Sequence, residues 1–350
     1  MAYTKTNWLP RLGTGLNKFA KSAETSTSVV LANTPDAVTQ AGTPFSVENM
    51  NKIEQGIYDA HQIEAANFNT LNSHADMVDG TGRNLLNVLG VSSIPSAMAA
   101  LRTLCNGTGT PNFSGLMIGD YLDGINLSAI PAENGGTAGQ AWNASYLNNR
   151  IVLSGFNTYK QAGDTEVTKN HLLFTFRNIP LKKRMNPAND NTGGYAASEI
   201  RAFLEGANGD GTGDYAGATT VTTAAFLNAL KAQIGDYILP VRRLLSTRPS
   251  SGVNWAWLTC SLFLPSENEI LGESAWGDPS YDDGLKVHFP IYQKATTYRC
   301  KRYNGARDWH WECSPAVASA ADFAYIGAIG LAHSADASAI FGCAPAFCIA

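Results

Sequence analysis

From residue 112 onward the chain breaks its hydrophobic residues into short runs separated by Gly, Asn and Asp. Leu116-Met117-Ile118, Arg150 to Phe156, His171 to Phe176 and Tyr237 to Val241 are such runs, and their lengths suit strands better than helices. Two stretches, near Ala196–Glu205 and Ala224–Ile234, read as helices. A chain of this texture buries its apolar side chains by folding many short elements over one another. The pattern predicts one compact α+β domain with many loops over residues 112–350. The 14 Phe, 13 Tyr and 7 Trp are enough to build a sizeable core, which excludes a disordered chain.

Upstream the texture differs. Residues 1–45 are polar and carry Pro10, Pro35 and Pro44, which predicts an extended arm without its own core. Ser46 is a plausible N-cap for a helix running to about residue 78. Met50, Ile53, Ile57 and Ala60 recur at three- and four-residue spacing, with Leu71 and Val78 in register and polar Glu64, Asn67 and His74 between them. A stripe this narrow favours self-association as a coiled coil, with the polar layers setting register. Packing against the chain's own C-terminal domain is the alternative. Asp79-Gly80-Thr81-Gly82 ends the helix, and shorter helical segments follow around Leu85–Leu89 and Ile94–Leu104. The run Gly107 to Pro111 predicts a boundary.

Charge and cysteine usage remove several function classes. With 25 Lys+Arg against 29 Asp+Glu the net charge is −4, which offers no general attraction to phosphate and argues against a nucleic-acid partner. No apolar run reaches the roughly 18 residues of a membrane span, so no membrane insertion is expected. The N-terminus lacks the apolar core of a signal peptide, so synthesis in the cytoplasm is expected. Cys105, Cys260, Cys300, Cys313, Cys343 and Cys348 form no C-x-x-C pair and read as free, mostly buried thiols. A Cys343–Cys348 or Cys300–Cys313 disulfide is the alternative.

Candidate chemistry is sparse. His171, His288, His310 and His333 are scattered and read as structural or surface residues. Asp278, Asp282 and Asp283, and the loop Asn208 to Asp214, are acidic and Gly-rich but lack the ligand spacing of a calcium loop. No nucleophile elbow, P-loop or dinucleotide fingerprint is present. Lys182-Lys183-Arg184 reads as a solvated edge. No catalytic constellation, metal site or cofactor site emerges, and the expectation is a protein that is not an enzyme.

The last 38 residues, Cys313 to Ala350, are unusual in kind. They hold 13 Ala and two charges, Asp322 and Asp336, and lack Lys, Arg, Glu, Gln, Met, Trp, Asn and Thr. Adjacent positions from Tyr325 to Asp336 look as though filled independently of one another. Further fixed-looking segments are Asn170-His171-Leu172-Leu173-Phe174, Ile179 to Asn186, Gly193-Gly194-Tyr195, Leu262 to Glu267, Phe289-Pro290-Ile291-Tyr292 and Tyr303-Asn304-Gly305. Trp311, Ser314-Pro315, Phe323, Gly330, Gly342 and Pro345 to Ile349 close the set. With these residues the chain resembles the variable proteins diversified by diversity-generating retroelements, which have a C-type-lectin-like (formylglycine-generating-enzyme-like) fold. In that family adenine-restricted mutation of Asn codons cannot reach Lys, Glu, Gln, Met or Trp, and all five are missing from the segment.

A second resemblance lies upstream. Gly42 to His61, with Thr43-Pro44-Phe45-Ser46-Val47-Glu48-Asn49-Met50 at its start, is similar to the N-terminal helix of phage tail and baseplate proteins. Together the resemblances imply a phage tail receptor-binding protein in three parts. Residues 1–45 would attach, residues 46–111 would form a helical, coiled-coil homotrimer, and residues 112–350 would bind ligand through a variable region at about 304–345. The implied partners are a host cell-surface protein or glycan and the baseplate or tail proteins, and the implied location is the virion. The implied ligand-binding positions are Asp308, His310, Ala316, Val317, Ser319, Asp322, Tyr325, Gly327, Ile329, Leu331, His333, Ser334, Asp336, Ser338, Ile340 and Phe341. Trp309, Trp311, Phe323 and Phe347 are expected to anchor the scaffold. Two other readings stay open: a structural baseplate or fibre component with a buried terminal segment, and a tail-borne hydrolase.

Overall fold

The computed structural model describes residues 12–14, 19–24, 28–34, 36–40, 50–55, 57, 82–131, 149–217, 221–248, 254–279 and 287–350. It divides into two units, Met1–Ser73 and His74–Ala350. In the first unit β1 (Leu12–Thr14), β2 (Phe19–Glu24), β3 (Val29–Asn33) and β4 (Ala37–Gln40) form two antiparallel ribbons, β1 with β4 and β2 with β3. Leu12, Phe19, Leu31 and Val38 are exposed. Residues 50–55 and 57 are helical, within the helix expected from Ser46. The rest of that helix to residue 78, its coiled coil, and Asp282 and Asp283 lie outside the described residues.

The second unit is a mixed α+β structure, mostly sheet with few helices. Asn84 and Ser93 cap its first two helices, α1 (Leu85–Leu89) and α2 (Ile94–Cys105), by accepting from the amides of Leu86 and Ser96. Then come β5 (Tyr121–Ile125), β6 (Asn149–Phe156), β7 (Leu172–Phe176) and β8 (Leu181–Lys183). Next are α3 (Glu199–Glu205), α4 (Ala225–Ile234), β9 (Ile238–Leu239), β10 (Val241–Ser246), β11 (Trp255–Cys260), α5 (Glu267–Leu271) and α6 (Pro290–Lys294). The chain continues through β12 (Lys301–Tyr303), β13 (Ala306–Asp308), β14 (His310–Pro315), β15 (Asp322–Ile326), β16 (Ala332–Asp336), β17 (Phe341–Cys343) and β18 (Ala346–Ile349). Among the described residues no helix is long and apolar enough to cross a membrane.

Two five-stranded sheets organise this unit, in the orders β5-β6-β7-β18-β9 and β16-β15-β14-β17-β8. The polypeptide passes from the second sheet to the first between β17 and β18, so β18 sits between β7 and β9. Phe347 of β18 stacks on Phe174 of β7 with centroids 5.8 Å apart.

Three expectations are corrected here. The boundary expected near residue 111 is absent. Leu85, Ala97, Met98, Leu101 and Cys105 share one core with Phe174, Phe347 and Ile349, and Asn170 donates to the carbonyls of Cys105 and Gly109 at 3.0 and 2.6 Å. The apolar faces of α1 and α2 are therefore spent within the chain. The run Leu116 to Ile118 is not a strand, and pairing begins at Tyr121. Lys182-Lys183-Arg184 is not a solvated edge: Lys183 is buried with its ammonium 2.8 Å from Glu199, which also takes Arg184 at 3.1 Å.

Two further buried pairs meet the cost of desolvation in the same way. Arg243 and Glu269, both fully buried, meet at 2.5 Å. Glu269 also accepts from Tyr159 Oη and from the Ser266 amide, completing the capping box of α5. Arg201 pairs with Glu205, whose carboxylate takes the amides of Ser261 and Leu262. All six cysteines are free, Cys300 half-buried and the other five buried, so neither alternative disulfide is formed.

Candidate functional site

The register of the second sheet decides which side chains meet. Trp311 of β14 pairs directly with Tyr325 of β15, and Tyr325 with His333 of β16, so the three side chains share a face. They grade from buried Trp311 through half-buried Tyr325 to exposed His333. Phe341 from β17 closes the row, with its ring centroid 4.6 Å from both Trp311 and Tyr325. Trp309 lies over this row, 5.6 Å from Tyr325 and 5.2 Å edge-on to Phe341. Tyr325 and His333 stack at 5.3 Å. Half-burial pushes the Tyr325 phenol above its ordinary range. These spacings suit offset and edge-to-face aromatic contact, and Trp311 is tied further by its indole N–H to the Lys183 carbonyl at 2.8 Å.

Exposed apolar residues flank the row. Ile329 and Leu331, at the β15–β16 turn, are 68% and 57% exposed, and Val317, in the β14–β15 loop, is 38% exposed. Gly330 holds φ +86° in that turn, where a Cβ would press on Cys300 Sγ at 3.1 Å. Asp336 is exposed. Asp322 accepts from the Ser334 hydroxyl at 3.4 Å, and Asp308 is ion-paired with Lys182. Ser319 and Ile340 are half-buried, and Ser338 hydrogen-bonds Asn189.

Four expected roles are corrected by burial. Trp309 is not a core anchor: it precedes β14 and is 45% exposed, so it belongs to the face itself. His310 points to the opposite side of β14 from Trp311 and is buried, with neither ring nitrogen partnered among the described residues. Desolvation, with the nearby Lys301 ammonium, drives its pKa well below the ordinary range. Ala316 and Gly327 are also buried. Buried in this way, His310, Ala316 and Gly327 present no side-chain surface to a ligand. Trp311, Phe323 and Phe347 are fully buried.

Residues outside the segment shape the face and escaped the sequence reading. Trp276 is 40% exposed. Its carbonyl accepts from the Val317 amide at 2.8 Å, and its own amide is held by Glu267. Lys182 Nζ stands 4.9 Å from the Tyr303 ring centre. The amides of Met185 and Asn186 both donate to the Ala337 carbonyl at 2.9 Å. Asn191 donates to three carbonyls of the loop between β14 and β15. A bulky Trp in a Gly- and Ser-rich loop, and the Asn-rich stretch 186–191, were the signals available.

Chemically, the face offers flat rings, aliphatic knobs, one exposed imidazole and one exposed carboxylate. Among the described residues no three His, Cys, Asp or Glu side chains gather as a metal-binding group. A family model described as a domain of unknown function (DUF6273) matches residues 164–350, more than half of the chain. No curated protein and no solved structure matches it.

Proposed function

The chain belongs to the DUF6273 family, and from its geometry we propose that it is a non-enzymatic receptor-binding protein of a phage tail. The face built on Trp309, Tyr325, His333 and Phe341 is the ligand-binding surface of a C-type-lectin-like domain, and the ligand is a host cell-surface protein or glycan. The N-terminal region joins baseplate or tail proteins and assembles a homotrimer through its helix, in the virion. The segment at about 304–345 is diversified by a retroelement.

One observation carries this reading. An aromatic row that opens to solvent at Trp309 and His333 is accompanied by exposed Ile329, Leu331 and Val317 in the turns of the same sheet, and the β14–β15 loop is held through main-chain carbonyls. A soluble surface seldom leaves such a patch without a use, and aromatic residues over a buried base are the usual binding hot spots. Trimer symmetry and several copies on one particle would multiply a weak single contact through effective concentration.

The test is adhesion of the purified full chain to candidate host cells. Tyr325→Ala, His333→Ala and Phe341→Ala should each weaken adhesion by roughly tenfold or more, with unfolding midpoints reported alongside. Full adhesion by all three would sink the assigned site.

A further inference from the structure

We propose that Asn191, which lies outside the β14–β15 segment, is the positioning residue of the candidate face, and that it sets the 316–322 loop by gripping its backbone alone. The loop turns its carbonyls inward. The Asn191 side-chain amide reaches Asp322 O at 2.7 Å, Ser319 O at 2.8 Å and Ala316 O at 3.5 Å. The Asn191 main-chain amide takes a fourth carbonyl, Ala320 O, at 2.9 Å. Asn191 is fully buried, and its Oδ1 has no partner among the described residues.

Three surrounding acceptors fix which end of the amide is nitrogen, since an oxygen there would face only oxygens. A side-chain amide has two hydrogens, so the two short contacts are the bonds and the third shares one of them. The grip passes onward. Ala316 N donates to Asp322 O across the neck of the loop, and Ala337 N donates to Ala321 O. The Ala337 carbonyl is in turn held by the amides of Met185 and Asn186. Together with the Trp276 carbonyl that takes the Val317 amide, this one buried residue orders the loop and couples it to the turn after β16.

Every residue type supplies the same carbonyl. The loop also has a side-chain contact of its own, Ser319 Oγ accepting from the Ala321 amide at 3.1 Å, but the Asn191 contacts persist whatever side chains the loop displays, so Asn191 separates the shape of the face from its composition. The functional weight of this inference rests on the ligand-binding reading, but its test needs no ligand. Failure of the test would therefore leave that reading standing.

The test is amide hydrogen exchange on the full chain, read at Ala316, Val317 and Ala337 and compared with the β7 and β18 amides. Asn191→Ala should speed exchange at Ala316, Val317 and Ala337 by roughly tenfold or more, with β7 and β18 unchanged. The triple variant Val317→Ala, Ser319→Ala, Asp322→Ala should change loop exchange by no more than about twofold. Should Asn191→Ala fail to fold, Asn191→Asp keeps the size, removes the donor and should show the same local pattern. Unchanged loop exchange without the donor would overturn the proposal. So would acceleration spread equally over β7 and β18, or a triple variant that opens the loop as far as Asn191→Ala does.

Discussion

On the proposed reading, a face whose side chains change over a constant fold must be cheap to alter at its surface and expensive to alter one layer down. The triple substitution Val317→Ser, Ile329→Ser, Leu331→Ser tests this directly. Ile329 and Leu331 already present most of their surface to water, so little apolar burial remains to lose. Substitutions at such sites usually fall within about 0.5 kcal/mol, and Val317, the most covered of the three, sets the upper end. The triple variant should therefore cost less than about 1.5 kcal/mol. Trp311→Ala is the contrast: the ring is fully buried, packs on Phe341 and Tyr325, and donates to Lys183 O. It should cost about 3–5 kcal/mol. Urea unfolding measures both, as shifts of midpoint at constant slope. A triple variant as destabilised as Trp311→Ala would show that the exposed side chains support the fold, and the separation of scaffold from display would be wrong.

Two further predictions concern the core beneath. Lys301 is fully buried, and desolvation with the nearby Arg177 charge brings its pKa from 10.5 down to about 7. The unfolded ammonium holds its proton to far higher pH, so unfolding takes up a proton above pH 7 and stability rises with pH. The gain from this residue should be about 2 kcal/mol between pH 6.5 and 8.5. Lys301→Met should flatten that rise in denaturant titrations across the range, and parallel wild-type and variant curves would count against it. Glu269→Ala leaves the Arg243 guanidinium buried without its carboxylate and should cost about 3–5 kcal/mol. The double variant Arg243→Met, Glu269→Leu should recover most of that loss, as judged by unfolding midpoints.

The α+β texture, the strands at Asn149–Phe156 and Leu172–Phe176, and the helices Ile94–Cys105 and Ala225–Ile234 could be read from run lengths and caps. What periodicity left open was the partner. A stripe on α2 says that one side is covered, but Cys105 meets the Ile349 carbonyl 244 positions away, and no local pattern encodes that. Lys182-Lys183-Arg184 looked solvated because its counter-ions, Glu199 and Asp308, arrive from other elements. At the face, the aromatic residue types were visible, but their depth was not. Pairing between β14 and β15 shifts between Trp311 and Pro315, and Trp309 falls just before the strand. Asn191 was hidden for a different reason: its targets are carbonyl oxygens, which leave no trace in residue identity.

The placing of β18 has a consequence for how faulty copies are discarded. This strand follows the whole face in the chain, yet it fills the gap between β7 and β9 in the other sheet. A ribosome that stops or slips frame anywhere from His310 to Cys343 yields a product whose β5-β6-β7-β18-β9 sheet lacks that strand and the Phe347 ring. Such a product would leave the facing edges of β7 and β9 unpaired, which favours proteolysis. On the proposed reading, folding would act as a length check on the diversified segment: a copy would persist only when that segment had been translated through in frame.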